Sequence, residues 1–202
     1  MTAYPPEPWR LTGEAHLSAW RLPAAQLPAL PEGVEPLIVA GRALVVTAWF
    51  HYRPPGQLSY HELLAAVAVR APRPTASITG IWVDSEVSLA GGRALWGTPK
   101  DLATFGFRPG RTFTATAATE HDWIATAAFS RRAGLPVAVP AGFRIVQTLG
   151  GRLERSRVAV RAKPAAAAAG WSVNPRGPLG YLAGHRPVVS GSLMGFDLTF
   201  GG

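Results

Sequence analysis

Residues 91–102 read GGRALWGTPKDL, and Lys100 is the residue in this stretch that can do amine chemistry. The chain has 20 basic side chains, of which only Lys100 and Lys163 are lysine; the rest are arginine. Arginine keeps its proton at any working pH, so it cannot act as an amine nucleophile. Lysine can, once deprotonated, and burial among apolar groups favours the neutral amine. Leu95, Trp96 and Leu102 lie close in sequence, and Pro99 fixes the local backbone. An amine in such surroundings condenses with a ketone or aldehyde to a Schiff base, and the protonated imine is an electron sink. That sink stabilises the carbanion left when carbon dioxide departs, or the enamine of an aldol reaction. The competing reading is a surface lysine paired with Asp101 or Glu62. Lys163, in RAKPAAAAAG, is the internal comparison: it lies beside Pro164 and reads as solvated.

Other chemistries find no support. The absence of Cys excludes disulfides, thiolate metal sites and a cysteine nucleophile. HELLA at 61–65 falls short of a zinc-protease helix, because Ala65 stands where the second His belongs. His121-Asp122 has no clustered second His and reads as a solvated turn. Ser192, in GSLMG, lacks the spacing of a nucleophile elbow. No glycine-rich loop ends in Gly-Lys and no GxGxxG occurs, which excludes a P-loop and leaves dinucleotide binding unsupported. No metal and no cofactor is expected.

The net charge of +8 suits anionic partners. The basic residues are dispersed, however, which argues against nucleic acid. In the densest stretch, GRLERSRVAVR, Arg157 and Arg161 alternate with Val158 and Val160, the pattern of a strand with one wet face. No apolar run approaches the roughly 18–20 residues of a membrane span. The N-terminus MTAYPPEPWR lacks a basic region followed by an apolar core. A cytoplasmic protein with no membrane partner is expected.

The elements that must position Lys100 read as strands. Gly 22 and Pro 19 are spread between apolar runs, which favours turns and short strands over long helices. Residues 1–9 read as a Pro-rich arm, and 15–22 as a first apolar segment. Residues 23–36 can hold one short helix between prolines. LIVAGRALVVTAWFHY at 37–52 reads as two strands or one bent at Gly41. Across the turn Pro54-Pro55-Gly56 it forms a hairpin with LSYHELLAAVAVR. ITGIWVDSEV at 78–87 reads as a strand, Gly91-Gly92-Arg93 as a loop, and 100–105 as a short helix. Further strands are predicted over 112–118, 123–129, 143–149, 153–162 and 187–200, with the run Ala165–Ala169 as a helical turn or linker. No repeat or boundary divides residues 1–202, so a single, mainly antiparallel β domain with a few short helices is expected.

GGRALWGTPKDLA resembles the acetoacetate decarboxylase family, whose hallmark is Gly-Arg-Glu, a short spacer, and Pro-Lys. Gly92-Arg93 and Pro99-Lys100 match, while Ala94 stands where Glu is usual. Tyr60-His61-Glu62 resembles the family's Tyr-x-Glu, some 38 residues before the lysine. IWVDSEVSLAGGR, PWRLTGEAHLSAWR and the closing LMGFDLTFGG resemble further family strands. The resemblance implies a mainly β (α+β) fold, an antiparallel β cone or barrel with flanking sheet, in a homo-oligomer. It implies Lys100 as the Schiff-base lysine and Glu62 as the pocket carboxylate that positions substrate or moves protons. The substrate would be a small keto acid or other carbonyl compound. The chemistry would be that of a lyase: decarboxylation, or the aldol and dehydratase reactions of relatives with altered pockets. The alternative is a non-catalytic relative that binds a small apolar or anionic ligand.

The resemblance also implies an N-terminal arginine that holds a substrate carboxylate, for which Arg10 and Arg21 are the nearest candidates, with Tyr60, Trp96 and Thr98 as further pocket residues. Thr98 replaces a larger aromatic, which opens the pocket. Arg93 is expected to clamp its segment to a carboxylate such as Asp84. Asp101 replaces a second lysine and must point away, because a nearby carboxylate stabilises the ammonium form. A second pocket glutamate of the family falls at Thr47.

Overall fold

The computed structural model describes residues 3–202. The strands are β1 (Trp9–Pro23), β2 (Ile38–Val39), β3 (Arg42–Arg53), β4 (Tyr60–Ala68) and β5 (Thr75–Val83). Helix α1 (Glu86–Trp96) follows, then β6 (Lys100–Leu102), β7 (Thr104–Arg108), β8 (Thr112–Ala118) and β9 (Trp123–Gly134). The chain closes with β10 (Val139–Leu149), β11 (Arg152–Val173) and β12 (Val189–Phe200).

Seven strands pair in the order β10-β5-β4-β3-β1-β12-β11, and β10 also pairs with β11, so they close into a barrel. Closure leaves no open edge within that ring. Its seam is a short parallel contact of Arg144 and Ile145 with Thr75 and Ala76. The other six pairings are antiparallel. β11 spans 22 residues, long enough to serve two sheets. Its first half pairs with β10 over 152–162, and its second half leaves the barrel to pair with β9 over 165–173. β9, β8 and β7 then extend as the flanking sheet.

Strand alternation places two cores on opposite faces of the shared strands. Trp9, Leu11, Tyr52, Tyr60, Ile81, Ile145, Val158 and Phe196 fill the barrel. Trp20, Val45, Trp49, Leu63, Phe113 and Phe129 pack between its outer wall and the flanking sheet. The mainly β fold, a barrel with flanking sheet and little helix, agrees with the sequence reading.

Several local expectations differ. Helix α1 covers residues read as the end of a strand and a loop, while 100–102 and 104–108 are strands rather than a short helix. Ser85 explains the helix start: its side chain accepts a hydrogen bond from the Ser88 N–H, an N-cap, with Glu86 in the first turn. The alanine run continues β11, because pairing with β9 and β12 outweighs the low strand propensity of Ala. Residues 37–52 form β2 and β3 around a tight turn with Ala40 and Gly41 at positive φ. Between prolines 23 and 36 only a 3-10 turn, Ala24–Gln26, forms. Residues 1 and 2 of the expected arm lie outside the described residues; the rest packs down, with Trp9 Nε1 donating to the Pro5 carbonyl at 2.8 Å.

Candidate active site

The site forms where the β3–β4 hairpin meets helix α1. The hairpin register sets Tyr52 opposite Tyr60 and Phe50 opposite Glu62. Alternation then turns Tyr60, Glu62 and Leu64 into the barrel and Leu63 into the other core. After β5 the chain turns through Asp84-Ser85 into α1, which ends at Gly97 in the left-handed region (φ 63°). A Cβ on Gly97 would stand 2.1 Å from the Thr148 carbonyl oxygen, so both shape and conformation demand glycine. The chain then drops back, and Lys100 enters β6 in parallel register with Ile81.

Gly92 gives the lysine its channel. A Cβ there would meet Lys100 Cδ at 2.7 Å and Cε at 2.8 Å. Gly91 plays the same part toward Trp9, whose ring would lie 2.4 Å from an added Cβ. The two glycines therefore let α1 press against the barrel, despite their cost to the helix.

Lys100 is 5% exposed, and its amine makes two hydrogen bonds. Nζ donates to Glu62 Oε2 at 2.8 Å and to Ser88 Oγ at 2.8 Å. It also sits 5.1 Å from the Tyr60 ring centroid, within cation–π range. The Tyr52 hydroxyl donates to Glu62 Oε1 at 3.1 Å, so both carboxylate oxygens are engaged. Burial, reinforced by the charge of Glu62, pushes the Tyr52 and Tyr60 phenols well above their usual range. Both therefore remain protonated. Lys100, Glu62, the two tyrosines and Thr98 line a cavity of about 70 Å³ whose other walls are apolar, Trp9, Leu11, Ile81, Trp96, Ile145 and Leu198 among them. A buried amine with an adjacent carboxylate beside an apolar cavity can exchange a proton and attack a carbonyl.

Of the residues singled out in the sequence, Lys100, Glu62, Tyr60, Trp96 and Thr98 come together on this cavity. Thr98 Oγ1 is buried without a hydrogen-bond partner among the described residues. Asp101 lies on the opposite side of β6, its side chain 69% exposed and 3.9 Å from Arg93 Nη2. The clamp from Arg93 to Asp84 does not form. Arg93 Nε donates instead to the Lys100 carbonyl at 2.7 Å, tying α1 to β6. Asp84 accepts from the His61 backbone N–H and contacts its Nδ1, each at 2.7 Å. Burial opposes the Asp84 charge, but the His61 bonds outweigh it and hold its pKa below the ordinary carboxylate value.

Neither candidate arginine reaches the cavity. Arg10 sits between Trp9 and Leu11, which point inward, so alternation turns it to solvent. Its backbone N–H bonds Gln57 Oε1. Arg21 lies near the other end of β1, about 33 Å along the strand from Leu11, with Nη2 donating to the Val39 carbonyl at 3.2 Å. Thr47 belongs to the other face of β3, where its Oγ1 accepts from Trp20 Nε1 at 2.9 Å. Sequence reasoning missed Ser88 and Tyr52. The hairpin register could have found Tyr52; nothing short of the helix could have found Ser88. Among the described residues no group of three His, Asp or Glu is placed to hold a metal.

Comparison with known proteins gives a consistent picture. The family model described as acetoacetate decarboxylase matches residues 1–161. The acetoacetate decarboxylase of Legionella pneumophila superposes with a TM-score of 0.75 at 20% identity, covering 100% of this chain and 88% of that one. The enduracididine biosynthesis enzyme MppR, solved in complex with pyruvate, superposes at 0.70 with 20% identity, covering 100% and 90%. An acetoacetate decarboxylase-like enzyme from Sphingomonas wittichii RW1 gives 0.67 at 16% identity, covering 96% and 91%. A comparison with curated protein sequences finds no significant match. The family-model match extends from the first strand through the hairpin, the helix and the lysine into β11: the chain belongs to the acetoacetate decarboxylase family.

Proposed function

We propose that the protein is a Schiff-base-forming carbon–carbon lyase acting on a small carbonyl compound, with Lys100 as nucleophile and Glu62 as proton carrier. The observation that supports this most strongly is the 2.8 Å contact between the buried Lys100 amine and Glu62 Oε2 on the wall of an apolar cavity. Transfer of one proton from the ammonium to Glu62 leaves an amine whose lone pair adds to the carbonyl carbon. Proton transfer from nitrogen to oxygen gives the carbinolamine. Glu62 then returns its proton to the carbinolamine hydroxyl, which leaves as water. The product is a cationic imine beside an ionised Glu62.

That cation draws in the electron pair of a bond to the adjacent carbon. In a β-keto acid the bond to the carboxylate breaks, and carbon dioxide departs. In other carbonyl compounds a proton passes from that carbon to Glu62, and the resulting enamine attacks a second carbonyl. Tyr52, bonded to Oε1, holds the carboxylate so that Oε2 faces the amine.

The test is borohydride reduction in the presence of small ketones, aldehydes and keto acids, read by intact mass. A stable adduct at Lys100 is expected to dominate on the wild-type chain and to be lost in Lys100→Met. The alternative, a non-catalytic fold binding a small apolar ligand, draws on the same apolar walls and predicts binding with no adduct.

A further inference from the structure

Resting on the Schiff-base reading, we infer that the substrate is an uncharged ketone or aldehyde with a short apolar chain, rather than a keto acid. The charges lining the cavity are already balanced. Its ionisable walls are Lys100, Glu62, Tyr52 and Tyr60, and the two phenols stay protonated. Once the imine forms, its positive charge faces the negative charge of Glu62. A substrate carboxylate would add a second negative charge beside Glu62 with no cation left to pair with it. Burying a charge unpaired is strongly disfavoured.

No arginine lines this cavity. Arg10 points to solvent, and Arg21 lies at the far end of β1. On β11, Val158 faces inward while Arg157 does not line the cavity. Apart from Thr98, the other walls are aliphatic and aromatic side chains, with Phe143, 37% exposed, where the lining reaches solvent.

Among the described residues, one side chain lining the cavity carries a buried polar atom without a partner: Thr98 Oγ1, on a residue only 3% exposed. It flanks the same point above Gly92 as the Lys100 stem, 2.9 Å from a Cβ built there. A single neutral hydroxyl suits one neutral oxygen, the carbonyl oxygen that becomes the carbinolamine hydroxyl. It does not suit the two oxygens of a carboxylate, which call for a fork of donors such as arginine.

The test compares carbonyl compounds that differ in charge: methyl pyruvate against pyruvate, with butanone as an apolar ketone. Each is incubated with the wild-type chain and cyanoborohydride. Adducts at Lys100 and at the exposed Lys163 are quantified in the same sample by peptide mass spectrometry, which cancels the intrinsic reactivity of each carbonyl. The Lys100-to-Lys163 ratio is expected to be at least about tenfold higher for methyl pyruvate and butanone than for pyruvate. An equal or higher ratio for pyruvate overturns this inference and leaves the Schiff-base reading standing. Absence of a Lys100 adduct with every compound overturns both.

Discussion

Removing either partner of the Lys100–Glu62 pair leaves a buried charge alone. The two side chains are 6% and 4% exposed, and their contact is 2.8 Å. Breaking a buried pair in this way costs about 3–5 kcal/mol. Lys100→Met strands the Glu62 carboxylate with only the Tyr52 hydroxyl. Glu62→Gln leaves the ammonium with Ser88 and the Tyr60 ring but no anion. In a chain of this size about 1 kcal/mol moves the melting temperature by about 2–4 °C. Each single variant is therefore expected to melt about 6–20 °C below the wild type. The double variant Lys100→Met/Glu62→Gln buries no charge, and the side-chain amide that replaces the carboxylate retains an acceptor for Tyr52. Its cost is expected to be about 1–2 kcal/mol. Urea denaturation of the four proteins closes a double-mutant cycle, with an expected coupling of about 3 kcal/mol or more. Additivity within about 0.5 kcal/mol would mean instead that the two charges do not depend on each other and form no buried pair.

Three further outcomes follow from the geometry. Gly92→Ala should reduce Schiff-base trapping at Lys100 by more than about tenfold, since its Cβ would push on Lys100 Cδ and Cε; circular dichroism should show the fold retained. Tyr52→Phe removes the donor to Glu62 Oε1, so urea denaturation should show a loss of about 1–3 kcal/mol, and trapping should slow. His16 is packed against Phe113 with Nδ1 2.8 Å from Ser192 Oγ; burial lowers its pKa to about 4, Glu14 pulling upward and Arg131 downward. The unfolded chain binds this proton below about pH 6.5, whereas the folded chain resists it until about pH 4. Stability present above pH 6.5 is thus lost as pH falls toward 4, by up to roughly 3 kcal/mol, and His16→Gln should lack that component in urea titrations at about pH 7.5 and about pH 4.5.

The β architecture was legible from turn and strand signals, and the central pair from the resemblance of two short segments to motifs of the family. Pro-Lys after a Gly-Arg segment, and Tyr-x-Glu upstream, carried Lys100 and Glu62. The hairpin around Pro54-Pro55-Gly56 was legible from turn chemistry. What failed depended on which way a side chain points and on tertiary packing. Arg10 is adjacent in sequence to two cavity residues, yet one step along a strand reverses the face. Thr47 failed for the same reason: it lies an odd number of residues from the inward-facing Phe50 and Tyr52 on β3. Gly91 and Gly92 read as a loop because glycine disfavours helix, but the contacts with Trp9 and Lys100 require them within one. Ser88 acquires meaning only once α1 is laid across the barrel.

The two lysines of this chain offer the most direct measurement. Lys100 is buried beside Glu62, while Lys163 lies exposed on β11. After borohydride reduction with a small carbonyl compound at low, matched concentration, peptide mapping should place the adduct on Lys100, with Lys163 little modified. Equal labelling of both lysines, or labelling of Lys163 alone, would contradict the claim that the buried amine is the nucleophile.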